Sequence, residues 1–192
     1  TTGFVGERKE FWWDELEHLW LEHTSGHDWL NSIDFLQDLL QIKISSTLDK
    51  SCSKSMYHWA CTELKKAGIV KGAEFLAYLR NLHKSNPLSR DSHLAMTEEE
   101  LLTLSKNPLI DIGCHTVHHP SLGHITEEDQ RYELETSKVY LERILNKPID
   151  LLAYPYGSKT DFTNTTQALA SKLGYKCGLT TIHGMIHKST RP

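Results

Sequence analysis

Apolar residues recur at helical spacing over residues 11–23, FWWDELEHLWLEH. Trp12, Leu16, Leu19, Trp20 and His23 share one broad face, with Asp14, Glu15 and Glu22 off it. That pattern predicts an amphipathic helix. Trp12 and Trp13 at its start read either as core packing or as a platform for stacking on sugar rings. Residues 28–41, 54–67 and 70–84 repeat the amphipathic pattern in short stretches, and Gly68 is placed to end the second of them. Ser, Asn and Pro cluster around 85–93, as in a loop. Residues 25–96 contain no β-rich run and read as a helical insertion within a single domain spanning 1–192.

From Met96 the pattern changes. Thr97-Glu98-Glu99-Glu100 is a capping box that predicts a short helix to about Lys106. Pro108–Gly113 reads as a buried strand. Thr126-Glu127-Glu128-Asp129 starts a long helix to about Leu145, Ile149–Tyr154 is a second strand, 163–173 another helix, and Lys176–Thr181 a third strand. Strands alternating with helices predict an α/β fold with a parallel sheet. Its chemistry then belongs just beyond the strand C-termini.

Composition narrows the class. The 192 residues carry 21 Lys+Arg against 25 Asp+Glu, so bulk charge gives no footprint for a nucleic-acid partner. No apolar run approaches the roughly 18 residues of a spanning helix. Cys52, Cys61, Cys114 and Cys177 are widely spaced and form no CxxC pair, which argues against a disulfide framework and weighs towards a reducing, cytoplasmic compartment. Nothing in the sequence fixes an oligomeric state.

Two short runs carry candidate chemistry. Cys114-His115-Thr116-Val117-His118-His119-Pro120 follows the strand expected at 108–113. His115 and His119 are spaced i, i+4, which on a helical turn puts both imidazoles on one face, able to grip one cation. Pro120 disfavours helix at His119, so the turn is expected to be short and irregular, with His118 projecting elsewhere. The second run, Ala153-Tyr154-Pro155-Tyr156-Gly157, ends the next strand. Its Pro-Tyr-Gly bend is either a generic β-turn or a device that aims a backbone N–H at an oxyanion.

Taken together, the two runs resemble the polysaccharide deacetylases (carbohydrate esterase family four). Ile112–Leu122 resembles that family's His-Ser/Thr-x-x-His/Asp metal motif, and Leu152–Gly157 its Pro-Tyr-Gly motif. Glu133, Ser137, Lys138, Leu141 and Glu142 of the intervening helix look like the family's, as do Thr1–Gly6 and Phe11–Asp14. The resemblance implies an irregular (β/α) barrel and removal of N-acetyl groups from the amino sugars of a polysaccharide or oligosaccharide. It implies that His115 and His119 hold a divalent metal, commonly zinc, and that the Tyr156 N–H stabilises an oxyanion. Pro155, Tyr154 and Trp12 become candidates for contact with sugar.

The sequence departs from the family in three places. Its Asp-Asp motif, source of the general base and a third metal ligand, would lie before Thr1, and only Asp111 and Asp161 suggest themselves as substitutes. Ala153 stands where the family often has Arg. A late Leu-x-His acid is not evident, leaving His183 or His187 as candidates. Residues outside the insertion are also too few for a whole barrel, which takes on the order of 200. The expectation is therefore an incomplete barrel, truncated at the N-terminus, that binds metal weakly and by itself is inactive or nearly so. The alternatives are a non-catalytic carbohydrate-binding remnant or degenerate homologue, or a helical interaction protein built on 25–96.

Overall fold

In the computed structural model, the chain is described over residues 1–22, 28–44, 52–83 and 90–184. It divides into two compact units, Lys9–Leu94 and Thr1–Arg8 with Ala95–Pro192.

The first of these is helical. α1 (Trp12–Glu17) continues into a π-helical turn, His18–Glu22, and is followed by α2 (Asp28–Leu40), α3 (Ser53–Ala67) and α4 (Ile69–His83). Gly68 ends α3 at φ 83°, a conformation that suits a residue without Cβ. Leu16, Leu19, Trp20, Leu36, Met56, Phe75 and Leu79 form its core, so the apolar stripes read from the sequence meet one another. Trp12–Glu22 thus packs with the helices that follow, within the unit Lys9–Leu94. Glu10 and Arg90 pair near its ends, with Arg90 Nη2 2.8 Å from Glu10 Oε2 and 2.8 Å from the Asp14 carbonyl.

The other unit is mixed α/β. Its elements are α5 (Glu98–Ser105), α6 (Glu127–Leu145), β1 (Leu151–Ala153), α7 (Asn164–Lys172) and β2 (Cys177–Leu179). α5 starts on a complete capping box: Thr97 Oγ1 accepts from the Glu100 amide, and the Glu100 carboxylate accepts from the Thr97 amide. α6 is capped by Thr126 and ends at Asn146 in the left-handed region. β1 and β2 are parallel, with Leu151, Leu152 and Ala153 opposite Cys177, Gly178 and Leu179.

The strand expected at 108–113 is not formed. Only Cys114 bridges to β1, its N–H donating to Leu151 O at 2.8 Å and its carbonyl accepting from Ala153 at 2.9 Å. Pro108 brings no N–H to a ladder, and the chain there turns, leaving Leu109 exposed. Among the described residues the sheet therefore comprises two strands and one bridging residue, with no closed barrel. Leu101, Cys114, Leu122, Leu134, Leu141, Ile149, Leu152 and Leu169 cover it as one core. The segments that follow Cys114, β1 and β2 carry the histidine run, the Pro-Tyr-Gly bend and His183 respectively.

Candidate active site

His115 leaves the bridge at Cys114 and turns its ring onto β1. Its Nδ1 lies 2.8 Å from the Ala153 carbonyl. A carbonyl only accepts, so Nδ1 carries the proton and Nε2 keeps its lone pair. Burial pushes the His115 pKa below the usual histidine value, against the opposing pull of that carbonyl. The ring is thus neutral and oriented, as a metal-ligating imidazole must be.

His119 comes back beside it. The two ring centroids are 4.6 Å apart at an interplanar angle of 74°. The approach is made by an irregular bend rather than a helical turn, because Thr116 and His119 both have positive φ, 61° and 63°. Thr116 Oγ1 donates to the His115 carbonyl at 2.7 Å and accepts the His119 amide at 3.0 Å. The buried hydroxyl of Thr116 thereby closes the bend. The Tyr156 ring lies 4.7 Å from that of His119 and nearly perpendicular to it.

Tyr156 is itself at φ 61°. Its carbonyl accepts from the Thr181 hydroxyl at 2.8 Å, and the Gly157 carbonyl accepts from the Thr181 amide at 3.1 Å. Gly157 has φ 69°, and a Cβ there would lie 2.7 Å from the Thr181 nitrogen, so glycine is required twice over. Three of the left-handed non-glycine residues, Thr116, His119 and Tyr156, therefore converge on one place. Such strain gathers at functional sites.

Other expected residues sit elsewhere. Tyr154 is buried, its ring stacked 4.4 Å from Phe162 and packed over Gly178. Pro155 is buried as well. Both lie beneath the bend. Trp12 is half-buried in the helical unit, edge-on to Trp13. His183 is exposed after β2, and His187 lies outside the described residues. Asp111 is exposed. Asp161 is fully buried and binds the Ser121 hydroxyl at 2.8 Å and the Ser158 amide at 3.0 Å, which makes it a clamp between two loops.

Sequence reasoning placed His118 outside the site and gave Glu133 no task. The two are joined. Glu133 Oε1 meets His118 Nδ1 at 2.7 Å, while Oε2 accepts the Val117 and His118 amides at 2.8 and 2.9 Å. A signal was present, since Gln130, Glu133 and Ser137 are polar residues on the core-facing stripe of α6.

The two rings lie adjacent, and His115 is held in the tautomer that leaves Nε2 able to ligate a cation. Among the described residues no group of three His, Cys, Asp or Glu is placed to hold a metal ion.

The profile of the polysaccharide deacetylase family matches residues 41–178, well over half of the chain. The chain belongs to the polysaccharide deacetylase family. It is 28% identical over 183 residues to the "Putative polysaccharide deacetylase YxkH" of Bacillus subtilis (strain 168), covering 92% of this chain. The chain spans 59% of that relative's length. Among solved structures it is similar to a Streptococcus pyogenes deacetylase, PplD, in complex with acetate, at 32% identity and a TM-score of 0.45. That likeness covers 48% of this chain and 39% of the other.

Proposed function

We propose that this chain carries the histidine half of a metal-dependent deacetylase site, which removes N-acetyl groups from the amino sugars of a polysaccharide or oligosaccharide. The observation that carries the reading is the convergence of His115, His119 and Tyr156 beyond the C-terminal end of the small parallel sheet. The sheet is read as part of the family's (β/α) barrel.

His115 and His119 would hold the ion, zinc being the metal commonly associated with the family. A divalent ion bound there supplies Lewis-acid polarisation of an amide carbonyl and a lowered pKa for water. The Ala153 carbonyl keeps His115 in the tautomer this requires. The Tyr156 N–H is assigned to the developing oxyanion, where a fixed main-chain donor strengthens as charge accumulates. The Gly157 amide donates to the Pro155 carbonyl of that peptide at 2.7 Å, and the Thr181 bonds hold the Tyr156 and Gly157 carbonyls that follow it. His183 is the candidate proton donor to the departing amine, and His187 the alternative.

Catalytic zinc commonly takes three protein ligands and a water. The sequence contains no adjacent pair of Asp, so the pair alone is expected to bind metal weakly. The test is metal analysis of the wild type, His115→Ala and His119→Ala, paired with acetate release from N-acetylglucosamine oligomers by the whole protein. Metal bound by the wild type and lost from both variants, with acetate release lost in parallel, is the expected result. Equal metal content in all three would remove the chemical basis of the proposal.

A further inference from the structure

The segment between the two histidines adopts a conformation its own backbone resists. Thr116 and His119 both have positive φ, a region that residues with a Cβ disfavour. Such a bend persists only where its surroundings over-determine it.

Glu133 is the main constraint. It lies on the buried face of α6, 4% exposed, and its carboxylate takes three bonds from two consecutive residues of the bend. Two go to main-chain amides, so they fix the direction of the peptides as well as their distance. The N-terminal turn adds two more: the Thr2 amide donates to Thr116 O at 3.0 Å and the Gly3 amide to Val117 O at 2.9 Å. A Cβ on Gly3 would stand 2.8 Å from that same Val117 oxygen, which shows how closely the turn is laid against the bend.

Burying a carboxylate is costly, and removing this one would leave the Val117 and His118 amides without their acceptor. What an apolar side chain would not supply is the pair of oxygens facing Val117 N, His118 N and His118 Nδ1.

We propose that Glu133 is the positioning residue of the histidine pair. Through Val117 and His118 it fixes the bend, and so sets the angle at which the His119 ring meets that of His115. The inference rests on the metal site proposed above. It concerns the groups that orient the ligands, which govern metal affinity much as the ligands themselves do.

Two variants separate positioning from mere charge. Glu133→Gln keeps an oxygen facing the two amides but loses the charge. Glu133→Asp keeps the charge but withdraws it by one methylene. Zn2+ affinity of the full chain is measured by competition with a chromophoric chelator. It is read alongside the visible ligand-field spectrum of the Co2+-loaded chain and the thermal midpoint of the metal-free chain. His115→Ala serves as the reference for loss of a ligand. Positioning predicts that E133Q keeps most of the affinity and the wild-type Co2+ spectrum. E133D is expected to lose about 10-fold or more and to shift the bands, while its metal-free midpoint stays near that of E133Q. E133D binding as well as the wild type, or better than E133Q, overturns the inference, and each variant alone is decisive on its Co2+ spectrum. If that happens while H115A still loses metal, the metal site stands without a role for Glu133. Equal binding in the wild type and H115A overturns the metal site and this inference together.

Discussion

The His115 imidazole donates its Nδ1 proton to the Ala153 carbonyl, 2.8 Å away on β1. A side chain of one sheet position is thereby oriented by the main chain of its neighbour, and no other side chain is needed to select the tautomer. The bond is long-range in sequence but short in the fold, because the Cys114 bridge places the two residues side by side.

This arrangement predicts how metal binding depends on pH. Burial lowers the His115 pKa below its ordinary 6.5. A histidine with a lowered pKa stays neutral until the pH falls through that lowered value. The contribution of His115 to Zn2+ affinity should therefore hold as pH decreases through 6.5 and drop only as pH falls through that lowered value. Isothermal titration across that range checks the expectation, and a midpoint above 6.5 would contradict it.

The His118–Glu133 pair predicts a pH-dependent stability of opposite sign. The Glu133 hydrogen bond raises the His118 pKa, outweighing partial burial. A raised histidine pKa stabilises the fold fully below the unfolded value, near 6.5, and the contribution fades as pH rises through the folded value. The gap in thermal midpoint between wild type and His118→Ala should be widest below about 6.5 and should narrow as pH rises through that raised value. His118 is more than a third exposed, so the effect is screened by solvent and salt.

Glu10 and Arg90 act in the helical unit with the reverse dependence. Burial works to raise the Glu10 pKa, yet the hydrogen bonds and charge of Arg90 win and hold it below the ordinary carboxylate value. Stability from this pair is present above about 4.5 and lost as pH falls through the depressed value. At neutral pH Arg90→Ala leaves Glu10 buried without its counter-charge and should cost about 3 kcal/mol in urea unfolding. That deficit should shrink on acidification below 4.5.

Gly157→Ala tests the Pro-Tyr-Gly bend. The substitution forces a Cβ against the Thr181 nitrogen at a position already in the left-handed region. A cost of about 1–3 kcal/mol is expected from the backbone strain, seen as a lower thermal midpoint. The histidine pair lies on a different segment, so Zn2+ affinity should be kept while acetate release falls. Loss of both together would mean that the bend and the metal site are not separable in this way.

The local part of this protein was legible in its sequence. The Thr97 and Thr126 caps, the Gly68 stop and the apolar stripes depend on residues within a turn or two of one another. α3, α5 and α6 accordingly fall within a residue or two of the predicted boundaries. The run at 108–113 failed because a strand is defined by its partner, and only Cys114 reaches β1. Spacing marked His115 and His119 as possible ligands and Pro120 marked the turn between them as irregular, but neither could say how the two rings face each other. Nor could they show that Tyr154 turns inward beside Phe162 while Tyr156 meets His119. The Glu133 contacts span 15 and 16 residues and run between a helix and a bend, and no local pattern encodes such a pairing. The sequence by itself determined the helices, their caps and the two imidazoles. The tertiary structure decided how those imidazoles face each other, because their orientation depends on a carbonyl of β1 and a carboxylate of α6 brought in by packing.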